Sequence, residues 1–214
     1  MKGRFITLEG GEGAGKSTQA ALLADALEQR GIAVELTREP GGTAGAEAIR
    51  QLLLDPGESP WGARAEALLF AAARADHVEK RIAPALAEGR WVICDRFIDS
   101  SRAYQGGAGG LDDGDLLDLH RVGSQGLVPD LTLLFRLPPH VAQERLVKRS
   151  EGNGHTDAIE ARGEAYHARV DAAFGRLASA EPARFSVIDG SGDIADTHAA
   201  VMAAIAPLLA GAVA

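Results

Sequence analysis

A glycine-rich segment near the amino terminus contains residue types that suit phosphate binding. It reads Gly-Gly-Glu-Gly-Ala-Gly-Lys-Ser-Thr, which contains the Gly-x-x-x-x-Gly-Lys-Ser pattern of a phosphate-binding loop between a strand and a helix. Glycines let backbone N–H groups turn toward phosphate oxygens, Lys16 adds a cation, and the Ser17 hydroxyl suits Mg²⁺. The sequence therefore predicts a site for ATP or GTP with Mg²⁺. Its residues are Gly10, Gly11, Glu12, Gly13, Ala14, Gly15, Lys16, Ser17 and Thr18.

Charged residues follow two later apolar runs and predict a second anion site. Asp95 ends one run, and an acid at this place in a phosphate-binding fold usually faces Mg²⁺. Arg96 comes next and is unsuited to metal binding, while Arg38 follows the other run. A guanidinium matches phosphate oxygens in geometry, so the two arginines predict a site for an acceptor phosphate. The alternatives are that Arg38 pairs with Glu39 and that Arg96 forms a surface ion pair.

Two residues of a long alanine-rich helix are candidates for recognition of a base. Phe70 and Arg74 are four positions apart and therefore share one helix face. A ring beside a cation can stack on a base and hydrogen-bond to it, although a helical phenylalanine is more often part of the core. Tyr104 and Gln105, which precede two glycines, are weaker candidates when considered alone.

Short apolar runs alternate with helical patterns along the chain. The runs are typical of strands buried on both faces of a parallel sheet, and they are Arg4–Leu8, Ala33–Thr37, Trp91–Asp95, Leu131–Leu137 and Arg184–Ile188. The helical segments are Lys16–Gln29, Ala63–Glu88, Asp112–Gly126, Pro139–Arg149, Ala158–Ala180 and Asp193–Leu209. This alternation predicts an α/β fold, with a parallel five-stranded sheet between two helical layers. Ligands of such sheets bind beyond the carboxyl ends of the strands, where the candidate residues lie.

Composition narrows the class of protein further. The 214 residues suit one domain over the whole chain. The 22 basic and 30 acidic residues give a net charge of −8, which argues against a nucleic-acid partner. No run reaches the roughly 18 apolar residues of a membrane helix, and the amino terminus does not resemble a signal peptide. The single cysteine, Cys94, excludes an internal disulfide and predicts a buried apolar residue in a cytoplasmic protein.

Taken together, these motifs resemble the thymidylate kinase family, which phosphorylates dTMP to dTDP with ATP. The resemblance spans nearly the whole chain, and the motifs occur in the family's order and spacing. They are Gly10–Thr18, Arg38–Thr43, Phe70–His77, Asp95–Phe97, Tyr104–Gly107 and Pro129–Thr132. The resemblance implies the nucleoside monophosphate kinase version of the P-loop NTPase fold. It also implies direct in-line phosphoryl transfer, ATP and dTMP as substrates, Mg²⁺ as cofactor and a homodimer.

The resemblance also assigns residues to the phosphate end of the acceptor site. Arg38 and Arg96 hold the dTMP phosphate, and Pro40 shapes that pocket. Glu12 faces the acceptor sugar or the metal. The remaining assignments are Lys16 and Arg96 as catalytic residues, and Ser17 and Asp95 as the residues that place Mg²⁺.

At the nucleoside end, the resemblance implies contacts with the base and the sugar. Phe70 stacks on thymine, and Arg74 reaches its O4. Ser101 and Gln105 lie near the base. Tyr104 crowds the sugar 2′ position and so favours deoxyribose.

A mobile lid over about 148–160 is expected to supply a further catalytic arginine. One subgroup of the family carries this arginine in the phosphate-binding loop, but the loop of this chain has none, as in the bacterial subgroup. Relatives read Asp-Arg-hydrophobic-Glu at the end of the lid, whereas this chain reads Asp-Ala-Ile-Glu over Asp157–Glu160. Arg149 is therefore the catalytic candidate, followed by Arg145 and Arg162. The alternative for Arg149 is a charge that stabilises the dipole at a helix carboxyl end.

Other functions remain open from the sequence. They are a kinase of another nucleotide or small metabolite, a P-loop switch or ATPase that acts on a protein, and a nucleotide-binding protein without catalysis. A GTPase switch would carry an Asn-Lys-x-Asp motif, but the only asparagine is Asn153, in Gly-Asn-Gly-His. Adenine is expected near Asp189–Gly192, at the edge of the sheet.

Overall fold

A parallel sheet forms the centre of the molecule. The structure, a computed structural model, describes residues 2–57, 60–138, 140–142, 144–145 and 157–211. The strands are β1 (Phe5–Gly10), β2 (Val34–Arg38), β3 (Trp91–Asp95), β4 (Leu131–Arg136) and β5 (Phe185–Asp189). They pair in the order β2-β3-β1-β4-β5, and every pairing is parallel. The predicted five-stranded parallel sheet is confirmed, and its strands coincide closely with the apolar runs.

Helices connect the strands and cover the sheet. They are α1 (Lys16–Glu28), α2 (Ala44–Leu54), α3 (Ala63–His77), α4 (Ala83–Ala87), α5 (Ile98–Ser101), α6 (Asp113–Ser124), α7 (Glu164–Ala180) and α8 (Ile194–Ala210). Two π-helical segments, π1 (Val78–Ile82) and π2 (Arg102–Ala108), continue α3 and α5. In the part of the chain that the structure describes, no helix has both the length and the apolar character needed to cross a membrane.

Two helical predictions differ from the structure, and one helix was not predicted. The segment expected over Ala63–Glu88 is divided into α3, π1 and α4. The helix expected from Ala158 begins only at Glu164, because Gly163 has extended backbone angles. Helix α2 was not predicted at all, and the helix expected over Pro139–Arg149 lies largely outside the described residues.

The side chains of β1 alternate between two cores, as expected for a sheet covered on both faces. Ile6 and Leu8 pack into a cluster with Leu23 of α1 and Ile205 of α8. Phe5 packs on the other face with residues that include Val78, Ile82 and Cys94. Cys94 is fully buried, which confirms the predicted burial of this side chain.

Strand register brings the candidate residues to one edge of the sheet. Asp95 of β3 lies opposite Leu8 of β1 and Arg38 of β2, so the loops after these strands begin side by side. The loop after β1 leaves the sheet very close to β4. A Cβ atom on Gly10 would lie 2.3 Å from the carbonyl oxygen of Phe135, so only glycine fits there.

A buried ion pair anchors helix α5 beside this edge. Asp99 of α5 is fully buried and accepts hydrogen bonds from both terminal nitrogens of Arg184, at 2.6 and 2.9 Å. Arg184 and Arg102 also bind Glu181, at the carboxyl end of α7. Bidentate pairing compensates the cost of burying the carboxylate and holds α5 in a fixed place.

Candidate active site

A cavity of about 470 Å³ lies beyond the carboxyl ends of β1, β2 and β3, and most of the predicted site residues line it. These are Glu12, Gly13, Ala14, Gly15, Lys16, Ser17, Thr18, Arg38, Pro40, Phe70, Asp95, Arg96, Ser101, Tyr104 and Gln105. Gly10 and Gly11 begin the loop next to the cavity without being among its lining residues. Arg74 is buried next to Ser101, and Arg149 lies outside the described residues.

The phosphate-binding loop wraps around the side chain of Lys16. Its Nζ donates to the carbonyl oxygens of Gly10 and Gly11, at 3.1 and 2.7 Å. Burial, followed by the charge of Arg96, lowers the pKa of Lys16. Gly15 has a φ of 83°, and α1 begins at the next residue. The first N–H groups of α1 therefore face the loop and provide a site for an anion.

Ser17 and Asp95 form a short polar contact that suits Mg²⁺. The Ser17 hydroxyl donates to Oδ2 of Asp95 at 2.5 Å. The other oxygen, Oδ1, is buried, and no donor within the described ranges binds it. These ranges also contain no group of three or more acidic, histidine or cysteine side chains that would suffice for a metal site. Mg²⁺ commonly binds one or two protein oxygens together with substrate phosphates, and this pair fits that requirement.

Arg96 is held across the cavity by several acceptors. Its φ of 71° places a non-glycine residue in the left-handed region, a strain that is typical of functional sites. One terminal nitrogen donates to the carbonyl of Gly10 and the hydroxyl of Ser100, both at 3.1 Å. The other pairs with Glu12 and donates to Tyr104 Oη at 3.2 Å. The alternative of a surface ion pair is therefore wrong, since Arg96 forms its ion pair inside the cavity.

Charge on Arg96 is favoured despite its burial. Burial, the largest single effect, would lower the pKa of Arg96, but the charges of Glu12 and further neighbours such as Asp95 together raise the pKa above its ordinary value. The same environment, chiefly burial, raises the pKa of the Tyr104 phenol. At neutral pH the positively charged Arg96 therefore lies beside the uncharged hydroxyl of Tyr104 in the cavity.

Glu9, at the end of β1, was not identified from the sequence. Its fully buried carboxylate accepts from the Phe97 amide at 2.8 Å, the Ser100 amide at 3.2 Å and the Ser100 hydroxyl at 2.6 Å. Burial, and then the charge of Asp99, raise the pKa of Glu9 to about 7. An acidic residue that continues a strand buried on both faces was the available signal, because such a charge needs partners.

Arg38 pairs with a residue that the sequence analysis did not consider. It donates to the two carboxylate oxygens of Glu47, at 2.9 and 3.1 Å, rather than pairing with Glu39. The same Glu47 accepts from the Gly42 amide at 2.9 Å. This bidentate contact holds the half-exposed guanidinium of Arg38 over the cavity.

A third arginine of the cavity, Arg50, lies on the unpredicted helix α2. It donates to the carbonyl oxygen of Pro40 at 2.8 Å and lines the cavity. Burial, and then the charge of Arg38, lower the pKa of Arg50. The signal for α2 was Thr43, whose hydroxyl caps the helix by accepting from the Ala46 amide at 3.2 Å.

Near the other end of the cavity, Arg74 is buried and forms hydrogen bonds with neighbouring residues. Its Nε donates to Glu39 at 2.8 Å, and one terminal nitrogen donates to Ser101 Oγ at 3.0 Å and to the Phe97 carbonyl at 3.2 Å. Phe70, one helical turn earlier, lines the cavity directly. Arg74 therefore lies behind Ser101 and is not among the residues that line the cavity.

The two alternative lid arginines occupy different surroundings. Arg145 lines the cavity and donates to the Gly192 carbonyl at 3.4 Å, close to the phosphate-binding loop. Arg162 instead pairs with Glu66 and donates to the Tyr166 hydroxyl at 2.6 Å. The described end of the expected lid, Asp157–Glu160, is a turn that lines the cavity.

A second cavity, of about 210 Å³, continues from the phosphate-binding loop toward β5. Gly190, Gly192 and Ile194 line one side of it, and Gly15 and Thr18 line the other. Its position coincides with the segment near which adenine was expected.

Comparisons with known proteins all point to one family. A sequence model of the thymidylate kinase family matches residues 8–201. The thymidylate kinase of Rhizorhabdus wittichii is 56% identical over 209 residues, which cover 98% of this chain and 100% of that protein. The thymidylate kinase of Chromohalobacter salexigens is 49% identical over 209 residues, which cover 97% of both chains.

A solved structure extends the similarity to the fold. The crystal structure of thymidylate kinase from Ehrlichia chaffeensis superposes with a TM-score of 0.75 at 32% sequence identity. The match covers 95% of this chain and 98% of that one, so the similarity extends over nearly the whole fold.

Proposed function

Since the chain belongs to the thymidylate kinase family and phosphorylates dTMP to dTDP with ATP, we propose how its cavity binds these substrates. The observation that supports the proposal most is the juxtaposition of Lys16, Asp95 and Arg96 at one edge of the sheet. Lys16 and the amino terminus of α1 bind the terminal phosphates of ATP. Arg96, which donates to the same Gly10 carbonyl as Lys16, binds the acceptor phosphate in the same cavity.

The acceptor phosphate is held by a group of guanidinium side chains. Arg38 and Arg96 are its principal ligands, because their planar N–H groups match phosphate oxygens. Arg50 adds a third positive charge, and Pro40 shapes the wall between them. Glu12 is paired with Arg96 and faces the acceptor sugar or the metal.

Mg²⁺ is proposed to bind between Ser17, Asp95 and the ATP phosphates. The uncompensated Oδ1 of Asp95 and the adjacent hydroxyl supply hard oxygen ligands of the kind that Mg²⁺ prefers. When bound, the ion neutralises charge on the phosphates and orients them. The fit of Mg²⁺ to this site rests on the oxygen atoms of Ser17 and Asp95.

The base and the sugar occupy the other end of the cavity. Phe70 stacks on thymine, while Arg74 recognises its O4 from behind Ser101. Gln105 lies beside the base. Tyr104, buried beneath Arg96, restricts the space at the sugar 2′ position and so favours deoxyribose.

Phosphoryl transfer in this site requires little proton chemistry. The acceptor is already an anion, so a general base is unnecessary, and in-line attack depends on positioning and neutralisation of charge. Lys16 and Arg96 supply neighbouring cations beside the transferred group. A lid over about 148–160 is proposed to close on the single domain and exclude water, with Arg149 as the candidate for a further cation.

The remaining assignments concern adenine, assembly and location. Adenine is proposed to occupy the second cavity beside Gly190 and Gly192. A homodimer is proposed because large apolar side chains on neighbouring helices are exposed, notably Leu68 on α3 at 56% and Val122 on α6 at 76%. A cytoplasmic location is proposed because Cys94 is taken to be a reduced thiol, which suits a reducing compartment.

One assay tests the proposed function. The full chain is incubated with ATP, Mg²⁺ and each of dTMP, dUMP, dCMP, dAMP and dGMP, and ADP formation is followed. We expect rapid ADP release with dTMP and little without an acceptor. ADP release that does not depend on an acceptor would indicate an ATPase, and faster release with another nucleotide would name a different kinase.

A further inference from the structure

Gln105 is held by a buried carboxylate outside the reacting centre. Gln105 is only 2% exposed and, like Phe70, lines the cavity. The amide nitrogen Nε2 donates to Oε1 of Glu66 at 2.8 Å. Glu66 lies on α3, one helical turn before Phe70, and is buried as well.

The chemistry of Glu66 determines which end of the Gln105 amide faces it. Both oxygens of Glu66 receive N–H groups, one from Gln105 and the other from Arg162. A carboxylate has only acceptors, so the amide of Gln105 must turn its NH₂ group toward Glu66. Because the amide is planar, its carbonyl oxygen Oε1 then points away from Glu66. Within the described part of the chain, the Gln105 side chain forms this one hydrogen bond, through Nε2.

Glu66 is itself fixed by surrounding contacts. Arg162 donates from its other terminal nitrogen to the Tyr166 hydroxyl at 2.6 Å and stacks on the Tyr166 ring at 4.8 Å. The Tyr166 hydroxyl donates in turn to the backbone carbonyl of Tyr104 at 2.8 Å, next to Gln105. These contacts hold Glu66 in place. The Gln105 amide can therefore reverse its direction only if the side chain at position 66 becomes a hydrogen-bond donor.

We propose that Glu66 is a positioning residue for base recognition, which fixes the Gln105 amide with its carbonyl oxygen toward the N3 position of the acceptor base. This inference rests on the proposed function, since it takes thymine to lie between Phe70 and Gln105. Thymine carries an N–H group at N3, which Oε1 accepts. Cytosine carries a lone pair there, which Oε1 repels.

This arrangement makes discrimination depend on two atoms of the base. Arg74 distinguishes the oxygen of thymine from the amino group of cytosine at position 4. Gln105, oriented by Glu66, distinguishes the two bases at position 3. A buried polar group left without its partner opposes binding strongly, so the second contact adds to the rejection of dCMP.

The variant Glu66→Gln tests the orientation directly. The new amide can accept from Arg162 with its oxygen and donate to Gln105 with its nitrogen. Gln105 then turns its own NH₂ group toward the base, where it suits cytosine and opposes thymine. We expect the ratio of kcat/KM for dTMP to that for dCMP to fall by about 10- to 100-fold.

Three further variants separate orientation from structural support. Glu66→Asp keeps an acceptor-only side chain and is expected to retain the ratio even if it lowers the Tm. Arg162→Lys weakens support for Glu66 without supplying a donor to Gln105, and it is also expected to retain the ratio. The exchanged pair E66Q/Q105E again places an acceptor toward N3, so it is expected to restore most of the preference for dTMP.

Turnover of both substrates is measured on the full chain, with folding followed by circular dichroism. Equal losses for dTMP and dCMP in E66Q, or equal ratios in E66Q and E66D, would overturn the proposal. If E66Q alone does not fold, the double variant E66Q/Q105E provides the test. A low ratio of kcat/KM for dTMP to that for dCMP in this double variant would then overturn the proposal. Failure of the proposed function appears separately, as wild-type protein that forms no ADP with dTMP.

Discussion

The carboxylate of Glu9 binds Ser100 twice, accepting from its hydroxyl at 2.6 Å and from its amide at 3.2 Å. The same hydroxyl accepts from Arg96 at 3.1 Å. A serine thus connects a fully buried acid at the end of β1 with the arginine proposed to bind the acceptor phosphate. We therefore expect the protonation state of Glu9 to affect both folding and the orientation of Arg96.

Stability is expected to depend on pH through Glu9. Burial and Asp99 raise its folded-state pKa to about 7 from 4.5, although Arg96 and the hydrogen bonds oppose this shift. Between these values the folded state holds a proton that the unfolded state releases. The contribution of Glu9 is fully present below pH 4.5 and is lost as pH rises through 7, with a slope of at most about 1.4 kcal/mol per pH unit. Urea unfolding from pH 5 to 8 measures this slope.

The matched control is Glu9→Gln, which keeps the shape of the side chain but does not titrate. Its free energy of unfolding should change less over the same range, so the difference between variant and wild type isolates Glu9 from other titrating groups. Parallel curves for the two proteins would show that Glu9 does not titrate in this window.

Asp95→Asn is expected to weaken the use of Mg²⁺ while leaving the fold intact. The carboxylate accepts from Ser17 at 2.5 Å and leaves Oδ1 for a cation, and an amide would place a weaker ligand there. We expect the Mg²⁺ concentration for half-maximal ADP formation to rise about 10- to 100-fold. Calorimetric titration of ATP with and without Mg²⁺ gives an independent measurement. If only Ser17→Ala shifts this concentration and Asp95→Asn does not, the assignment of Asp95 is wrong.

Arg74 is expected to control the choice between thymine and cytosine at position 4. It is 3% exposed and held by Glu39 and Ser101, so its N–H groups have a fixed direction. Wild-type protein should discriminate against dCMP by about 10⁴, and against dUMP only by the 1–3 kcal/mol that a methyl group contributes, roughly 10- to 200-fold. Arg74→Lys should reduce the discrimination against dCMP much more than the discrimination against dUMP. Equal wild-type rates with dCMP and dTMP would remove Arg74 from base recognition.

The sheet and the phosphate-binding loop were predictable because local signals determine them. Apolar runs such as Trp91–Asp95 specify buried parallel strands, and the glycines and Lys16 specify the loop. Parallel topology then places Asp95 beside Arg38 without knowledge of side-chain contacts. These inferences needed only periodicity and the rule that ligands bind at strand carboxyl ends.

The residues that orient the site were not predictable in the same way. Glu47 binds Arg38 from a helix whose apolar pattern was overlooked, and Glu66 reaches Gln105 across 39 positions. Glu9 resembles an ordinary charged residue until its burial is known. Such partners depend on how separate elements pack against one another, which a single sequence does not encode in its spacing.

The last prediction concerns the catalytic cation near the lid. Arg145 lines both cavities, and its Nη1 would lie 4.0 Å from a Cβ on Gly15, so it faces the phosphate-binding loop. Arg149, the other candidate, lies outside the described residues. The two variants Arg145→Ala and Arg149→Ala are compared by single-turnover transfer from ATP to dTMP. A cation that stabilises the transferred group contributes about 10³–10⁵ to the rate, so its loss should lower kcat by that order. A cation that only binds ATP should instead raise the KM for ATP and leave kcat nearly unchanged. We expect the kcat effect for Arg149 and the KM effect for Arg145, and unchanged turnover in Arg149→Ala would exclude Arg149 from the mechanism.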